Sequence, residues 1–463
     1  MAENEKWGTR IGFVLAAIGS AIGLGNIWRF PYQVYNSGGG AFLIPYFAAL
    51  IIAGIPVLIL ELGLGGETGK TTPLAIREKL RESEFIGWWA VLNGWLVNMY
   101  YAVIVGWSVV FVGFSLTLAW QGTELSNFFM NNFLNSWLPV VGVILVWILQ
   151  YFIMKAGIKE GLEKANKIFV PAIWVIVILL VLRGITLDGA IQGLNYYLTP
   201  DFGALTNAEI WINAFGQIYF TLSVALGIMI TYASYLPEKS DITNNAFIIA
   251  LANCGFAFLV GFAIFPIMVA GGIEPTSGIG LAFMALPKAF EFLPFSNVFA
   301  SLFFVLLTMA GLSSSISLAE AQIGPIREKL TLKRSKTVSY VIAISLIGSL
   351  IIALEGPLGL FGDNPLSLLT ILDTSSATYT LPIIAFGEAL IFGWVYGIDK
   401  IRTYVNSVSD YTMGTWFNYF LKIVVPIALG YSILSKTVTR PGLLPPFLIM
   451  IGAALASIVK EQK

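Results

Sequence analysis

Stretches long and apolar enough to cross a bilayer, which takes roughly 20 residues as a helix, recur along almost the whole chain. Twelve qualify: 10–36, 40–65, 86–119, 137–154, 166–183, 208–235, 242–271, 297–323, 337–354, 368–397, 416–435 and 442–459. The last is short and carries Pro445 and Pro446 near its start, so eleven spans is the alternative. Backbone polar groups in lipid must be paired within a helix or a closed barrel. Weakly alternating strands are absent, so the expected fold is all-α and polytopic.

Composition then removes most chemistry. Only 11% of residues are charged and 57% are hydrophobic, and Lys+Arg balance Asp+Glu at 26 each. That excludes a nucleic-acid partner and almost any soluble enzyme. With no His and one Cys, Cys254, there is no His-based catalysis, disulfide or Cys-cluster metal site. No credible nucleophile–base set remains, so the chain is not expected to be an enzyme.

Basic residues orient the spans. Of the 26 Lys and Arg, 20 lie in loops on the side of the N-terminus. Four (Arg183, Lys288, Lys436 and Arg440) lie opposite, and Arg29 and Lys422 fall inside spans. The N-terminus is therefore expected in the cytoplasm. Short loops and the absence of an Asn-x-Ser/Thr sequon favour a prokaryotic plasma membrane.

Span 1 contains Gly19, Gly23 and Gly25, then Asn26 and Arg29. Each glycine weakens a helix by about 1 kcal/mol relative to Ala. A break at that depth survives only where it lines a cavity or is buried in protein. Span 6 carries Phe220-Thr221-Leu222-Ser223 and Gly227 at matching depth. Interruptions at spans 1 and 6 imply two inverted five-helix halves, over 1–183 and 208–397, with two further helices in 398–463. Such paired breaks mark transporter binding sites. Close helix packing by small residues is the bland alternative, but it leaves Asn26 and Arg29 unexplained.

Charges inside spans are usually paired. Arg29 and Asp373, from opposite halves, are expected to close an outer vestibule, with Gln217 bonding Arg29. Asn26, Thr221, Asn253 and Ser313-Ser314-Ser315 supply neutral oxygens of the kind a hard monovalent cation takes. Glu61 and Glu320 read as packing hydrogen bonders.

Residues Gly19 to Pro31 and Asn36 to Phe42, Phe220 to Tyr235, and Ala310-Gly311-Leu312-Ser313-Ser314 together resemble the neurotransmitter:sodium symporter family. The likeness runs collinearly from residue 7 to about 400, and is greatest to the bacterial leucine-transporter-like hydrophobic amino-acid symporters. It implies two sodium sites. The first would use the Ala21 carbonyl, Asn26, Thr221, Asn253 and the substrate carboxylate. The second would use the carbonyls of Gly19, Ile22 and Ala310 with the hydroxyls of Ser313 and Ser314. Substrate contacts would come from Ser20, Ala21, Gly25, Val97, Tyr101, Phe220, Thr221, Ser223, Leu226, Ser314 and Leu318. Tyr101 would meet the carboxylate and Phe220 would form a lid.

Gly23 stands where amine-transporting relatives have Asp. The substrate is therefore expected to bring its own carboxylate, as a small neutral amino acid does. The side-chain pocket, Val97, Leu226, Leu318, Ile104 and Phe220, is apolar and suits a hydrophobic or aromatic group. Ala257 offers neither the hydroxyl of chloride-dependent relatives nor a carboxylate, which leaves chloride dependence open. Trp7 and Tyr235 match the inner gate. Asn4 replaces its usual Arg, and Glu328 stands at the acidic position. Gly161 and Pro171, with nine residues between them, match a spacing tied in relatives to unwinding of span 5. A non-transporting amino-acid sensor, a symporter of another carboxylate-bearing solute and an ion channel are the rival functions. Oligomeric state is not legible.

Overall fold

The computed structural model describes residues 5–439 except 275, 277, 362 and 363. Asn4 and the segment 442–459 lie outside the described residues. Among the latter, nine helices are long and apolar enough to cross a membrane: Gly40–Thr68, Arg81–Thr117, Leu138–Lys155, Ile158–Ile185, Ile242–Ala270, Ser296–Leu330, Arg334–Ala353, Ser367–Val408 and Trp416–Ser435. These are spans 2 to 5 and 7 to 11. Span 1 is a bent pair, Arg10–Ala21 and Gly25–Asn36, whose axes differ by 51°. Span 6 consists of two shorter helices, Ala208–Thr221 and Ile228–Ser234. Spans 1 to 11 therefore recur among the described residues, and both predicted breaks are present.

Several spans run past their apolar cores on the N-terminal side. Span 3 begins at Arg81, span 5 at Ile158 and span 10 ends at Val408, because amphipathic turns continue the helix beyond the lipid-facing stretch. Local signals fix the starts. The Thr9 side chain accepts the Gly12 N–H ahead of span 1, and Asp241 does the same for Asn244 ahead of span 7. Spans 3 and 8 pack most extensively against each other. Span 8 is also the most enclosed: 78% of its apolar window is buried, against 33% for spans 5 and 11. Spans 1 and 6 lie against this centre, so their breaks open into protein and not lipid, as unpaired backbone requires.

The two breaks differ. In span 1 the helix lapses at Ile22 and Gly23, then resumes with one wide turn over Gly25–Arg29. In span 6 the backbone turns between Thr221 and Ile228, with positive φ at Ser223 (55°), Ala225 (59°) and Gly227 (75°). Left-handed backbone at the two non-glycine residues costs of order 1–3 kcal/mol each. Three side chains hold it there. Glu61 accepts the Ala225 N–H (2.6 Å), Ser223 donates to the Ser20 carbonyl (3.0 Å), and Thr72 donates to the Gly227 carbonyl (2.7 Å). Glu61 is thus more than a helix-packing residue: it organises the span 6 break.

Candidate functional site

The breaks of spans 1 and 6 face spans 3 and 8 across a cavity of about 30 Å³. All eleven residues that the resemblance marks for substrate line it: Ser20, Ala21, Gly25, Val97, Tyr101, Phe220, Thr221, Ser223, Leu226, Ser314 and Leu318. Gly23, Asn26 and Ile228 line it as well. Ile228 carries no sequence signal beyond being apolar. Ile104 is absent from this lining and faces the larger cavity on the opposite side of Phe220.

Polar groups at one end of the cavity suit a carboxylate. The resumed helix of span 1 begins beside it, at the end of a helix that favours negative charge, and the Gly23 N–H there donates to Asn26 Oδ1 (3.1 Å). Tyr101 Oη accepts the Leu24 N–H at 2.9 Å, which leaves its own proton free to donate. A Cβ at Gly23 would stand 2.6 Å from Tyr101 Oη and 2.8 Å from Ser314 Oγ. Any larger residue there would clash with both hydroxyls. The remaining walls, Val97, Leu226, Ile228 and Leu318, are apolar.

Two oxygen clusters flank the cavity. In the first, Asn26, Thr221 and Asn253 meet. Asn26 Nδ2 donates to Asn253 Oδ1 (2.8 Å), and Asn253 Nδ2 donates to Thr221 Oγ1 (3.2 Å). In the second, Ser313 Oγ donates to the carbonyls of Gly19 (2.7 Å) and Ala310 (2.9 Å). Ser314 Oγ lies 3.4 Å from the Gly19 carbonyl, 3.0 Å from that of Ser20 and 3.4 Å from that of Ile22. The five oxygens of the expected second sodium site therefore converge between the unwound part of span 1 and span 8. No group of three or more His, Cys, Asp or Glu able to hold a metal occurs among the described residues. Neutral oxygens without a carboxylate cluster fit a monovalent cation better than a divalent one.

Phe220 separates the cavity from a vestibule of about 580 Å³ on the side away from the N-terminus. A Cβ at Gly25 would stand 2.7 Å from the Phe220 ring, so glycine is what lets the lid lie against span 1. The Arg29 guanidinium stacks on that ring with 4.8 Å to its centroid. Arg29 and Asp373 both line the vestibule, but among the described residues no ion pair joins them within 4.0 Å. Gln217 does not reach Arg29 as expected. Its Nε2 donates to the Gly25 carbonyl at 3.4 Å, because Gln217 faces the break of span 1.

The N-terminal side is tied shut. The Trp7 indole donates to the Tyr232 carbonyl (2.8 Å), and its backbone N–H to that of Tyr235 (3.1 Å). Tyr235 Oη donates to Glu320 (2.8 Å), which pairs with Arg334 (2.7 Å). Arg334 and Arg327 each reach Glu5 at 2.7 Å. Burial raises the Glu5 pKa above the ordinary carboxylate value, and Arg334 and Arg327 oppose that shift. Glu328 is not part of this network. It accepts the Thr71 N–H (2.9 Å) and hydroxyl (2.6 Å) instead. The acidic partner therefore sits on the N-terminal segment and the basic partners on spans 8 and 9, an ion pair that the sequence left unassigned. Sequence reasoning passed over Glu5 and Arg334 because they lie 329 residues apart.

Two helix breaks, neutral oxygens beside them and a cavity under an outer vestibule, closed on the N-terminal side, define a multi-pass membrane transporter. The chain belongs to the sodium:neurotransmitter symporter family, whose model matches residues 4–135 and 135–443. It is 44% identical over 449 residues to an uncharacterized sodium-dependent transporter of Methanocaldococcus jannaschii, covering 92% of this chain and 89% of that one. It is 32% identical over 448 residues to an uncharacterized sodium-dependent transporter of Bacillus subtilis, covering 93% and 97%. The crystal structure of MhsT in complex with L-phenylalanine superposes with a TM-score of 0.83 at 31% identity, covering 93% of this chain and 99% of that chain. The protein is thus a sodium-dependent transporter and not an enzyme.

Proposed function

We propose that this transporter carries a neutral hydrophobic amino acid, aromatic side chains included, together with sodium by alternating access. The observation that carries the reading is the cavity beside Gly23, where Tyr101 Oη and Ser314 Oγ come too close to admit a side chain from the protein, next to neutral oxygens and apolar walls. The protein places no acid in that cavity, so the substrate supplies the anion. The phenylalanine in the related MhsT structure agrees with this.

The two oxygen clusters hold one sodium each. The first would be completed by the substrate carboxylate, which couples the two solutes. The coupling is reciprocal: sodium raises amino-acid affinity and the amino acid raises sodium affinity by the same factor. The second cluster joins span 1 to span 8 and stabilises the closed inner side. Arg29 and Asp373 approach to close the outer vestibule over Phe220. The Glu5–Arg327–Arg334–Glu320 network then releases, and spans 1, 2, 6 and 7 rock against the rest. With Arg29 and Asp373 apart and this network intact, the described arrangement is the outward-facing one. By the distribution of basic residues the N-terminus is cytoplasmic, in the plasma membrane of a prokaryotic cell. Chloride is dispensable, since Ala257 is buried and brings no hydroxyl.

Uptake of labelled phenylalanine and leucine into proteoliposomes tests the reading. Accumulation should need an inward sodium gradient, fail with potassium, and persist when gluconate replaces chloride. Uptake that is equal in sodium and potassium would contradict it. Binding without uptake would mark a sensor.

A further inference from the structure

The segment leading into span 1 and its first half turn Gly8, Gly12 and Gly19 toward span 5, and each meets a polar side chain. A Cβ at Gly8 would press on Lys159, at Gly12 it would overlap Glu163, and at Gly19 it would overlap Asn166. Lys159 and Glu163 lie on the turns beyond the apolar core of span 5 and Asn166 within it, and a buried polar side chain inside a span calls for a use. Together they run from the N-terminal rim to Gly19, whose carbonyl belongs to the second oxygen cluster.

Asn166 is fully buried. Its Nδ2 donates to the Leu162 carbonyl at 3.0 Å, which fixes the amide orientation and turns Oδ1 toward Gly19. That oxygen has no hydrogen-bond donor among the described residues. A buried acceptor left in this way is costly. One turn nearer the rim, Glu163 is held by donors from the N-terminus of span 1: the Gly8 N–H (2.7 Å) and the Thr9 hydroxyl (2.9 Å). Lys167 completes its shell at 2.6 Å. Between Ile158 and Glu163 the helix makes a wide turn before regular helix resumes at Lys164.

We propose that Asn166 and Glu163 form a cation relay between the second oxygen cluster and the N-terminal side. The proposal rests on reading that cluster as a sodium site. Asn166 Oδ1 is the first oxygen offered to a sodium ion leaving Gly19. Glu163 is the next, and it becomes available by the movement that opens the inner side. When the start of span 1 swings away, Gly8 and Thr9 withdraw their donors and leave a carboxylate short of partners beside the path. Sodium release is thereby tied to inner opening without a separate sensor.

Three variants test this in purified protein: Asn166→Leu, Asn166→Asp and Glu163→Gln. Sodium half-saturation is read from thermal stabilisation. Net uptake into sodium-free vesicles is compared with amino-acid exchange at equal sodium on both sides. Asn166→Leu should lower the ratio of net uptake to exchange about tenfold, and Glu163→Gln should act in the same direction. Asn166→Asp should slow net uptake while shifting half-saturation to lower sodium, since a carboxylate holds the ion at the station. A native ratio in both Asn166→Leu and Glu163→Gln, or equal loss of net uptake and exchange in all three, would overturn the relay. Absence of sodium stabilisation in the native protein would overturn the sodium-site reading beneath it, which Ser313→Ala probes separately.

Discussion

Glu5 bridges Arg327 and Arg334 at 2.7 Å each, with side-chain exposures of 19%, 14% and 11% respectively. These groups are shielded enough that their attraction is not fully screened, yet reachable enough to separate in each cycle. Charge-assisted hydrogen bonds of this kind contribute about 1.5–3 kcal/mol each. Glu5→Gln keeps one acceptor but loses the charge, so a net loss of roughly 2–3 kcal/mol from the closed inner state is expected. At about 1.4 kcal/mol per tenfold, the outward-to-inward equilibrium shifts roughly 30- to 150-fold. The assay is alkylation of a single reporter, Ser234→Cys, which lines the cavity on the N-terminal side. Cys254 is first replaced by Ala. In potassium, alkylation should accelerate by a factor of that order, and sodium plus amino acid should slow it again. The exchange Glu5→Arg with Arg327→Glu should recover part of the native protection. Unchanged alkylation in Glu5→Gln, or no recovery in the exchange, would refute the assignment of Glu5 as the latch.

Three further outcomes follow from the same geometry. Ser313→Ala removes the hydroxyl that meets Gly19 and Ala310. Half-saturating sodium for thermal stabilisation should rise about tenfold, the equivalent of one lost hydrogen bond of ~1.4 kcal/mol. Gly23→Asp drives a side chain into Tyr101 Oη and Ser314 Oγ, so stabilisation by every amino acid should disappear in a protein that still purifies as a folded species. Asp373→Ala takes a charge from the vestibule above Phe220, so initial uptake should fall more than equilibrium binding, measured side by side in the same preparation.

The spans were legible because lipid imposes one simple requirement, a long apolar helix with its backbone paired. Their ends were less so, since Arg81 and Val408 belong to helical turns that hydropathy treats as loop. The break in span 1 announced itself through three glycines. The break in span 6 was fainter because Ser223 and Ala225 adopt left-handed backbone without being glycine. What holds them is Glu61, 164 residues from Ala225, and no local pattern reports such a contact. The residues marked for substrate were gathered from four spans by resemblance and do lie around one cavity. Ile104, one turn from Tyr101, lines the vestibule on the other side of the Phe220 lid. The inner network was illegible for a similar reason. Its partners come from three distant parts of the chain, and no local pattern pairs them.

The central claim is that a sodium-organised site binds a hydrophobic amino acid through the substrate's own carboxylate. Thermal stability of the detergent-purified protein, measured with each of the twenty common amino acids in NaCl, KCl and sodium gluconate, tests it most directly. A ligand that binds only the native state must raise stability. The account predicts shifts with hydrophobic and aromatic amino acids in both sodium salts, none in KCl, and none with the matching amines that lack a carboxylate. Shifts that are equal in KCl, or that the decarboxylated amines reproduce, would contradict it.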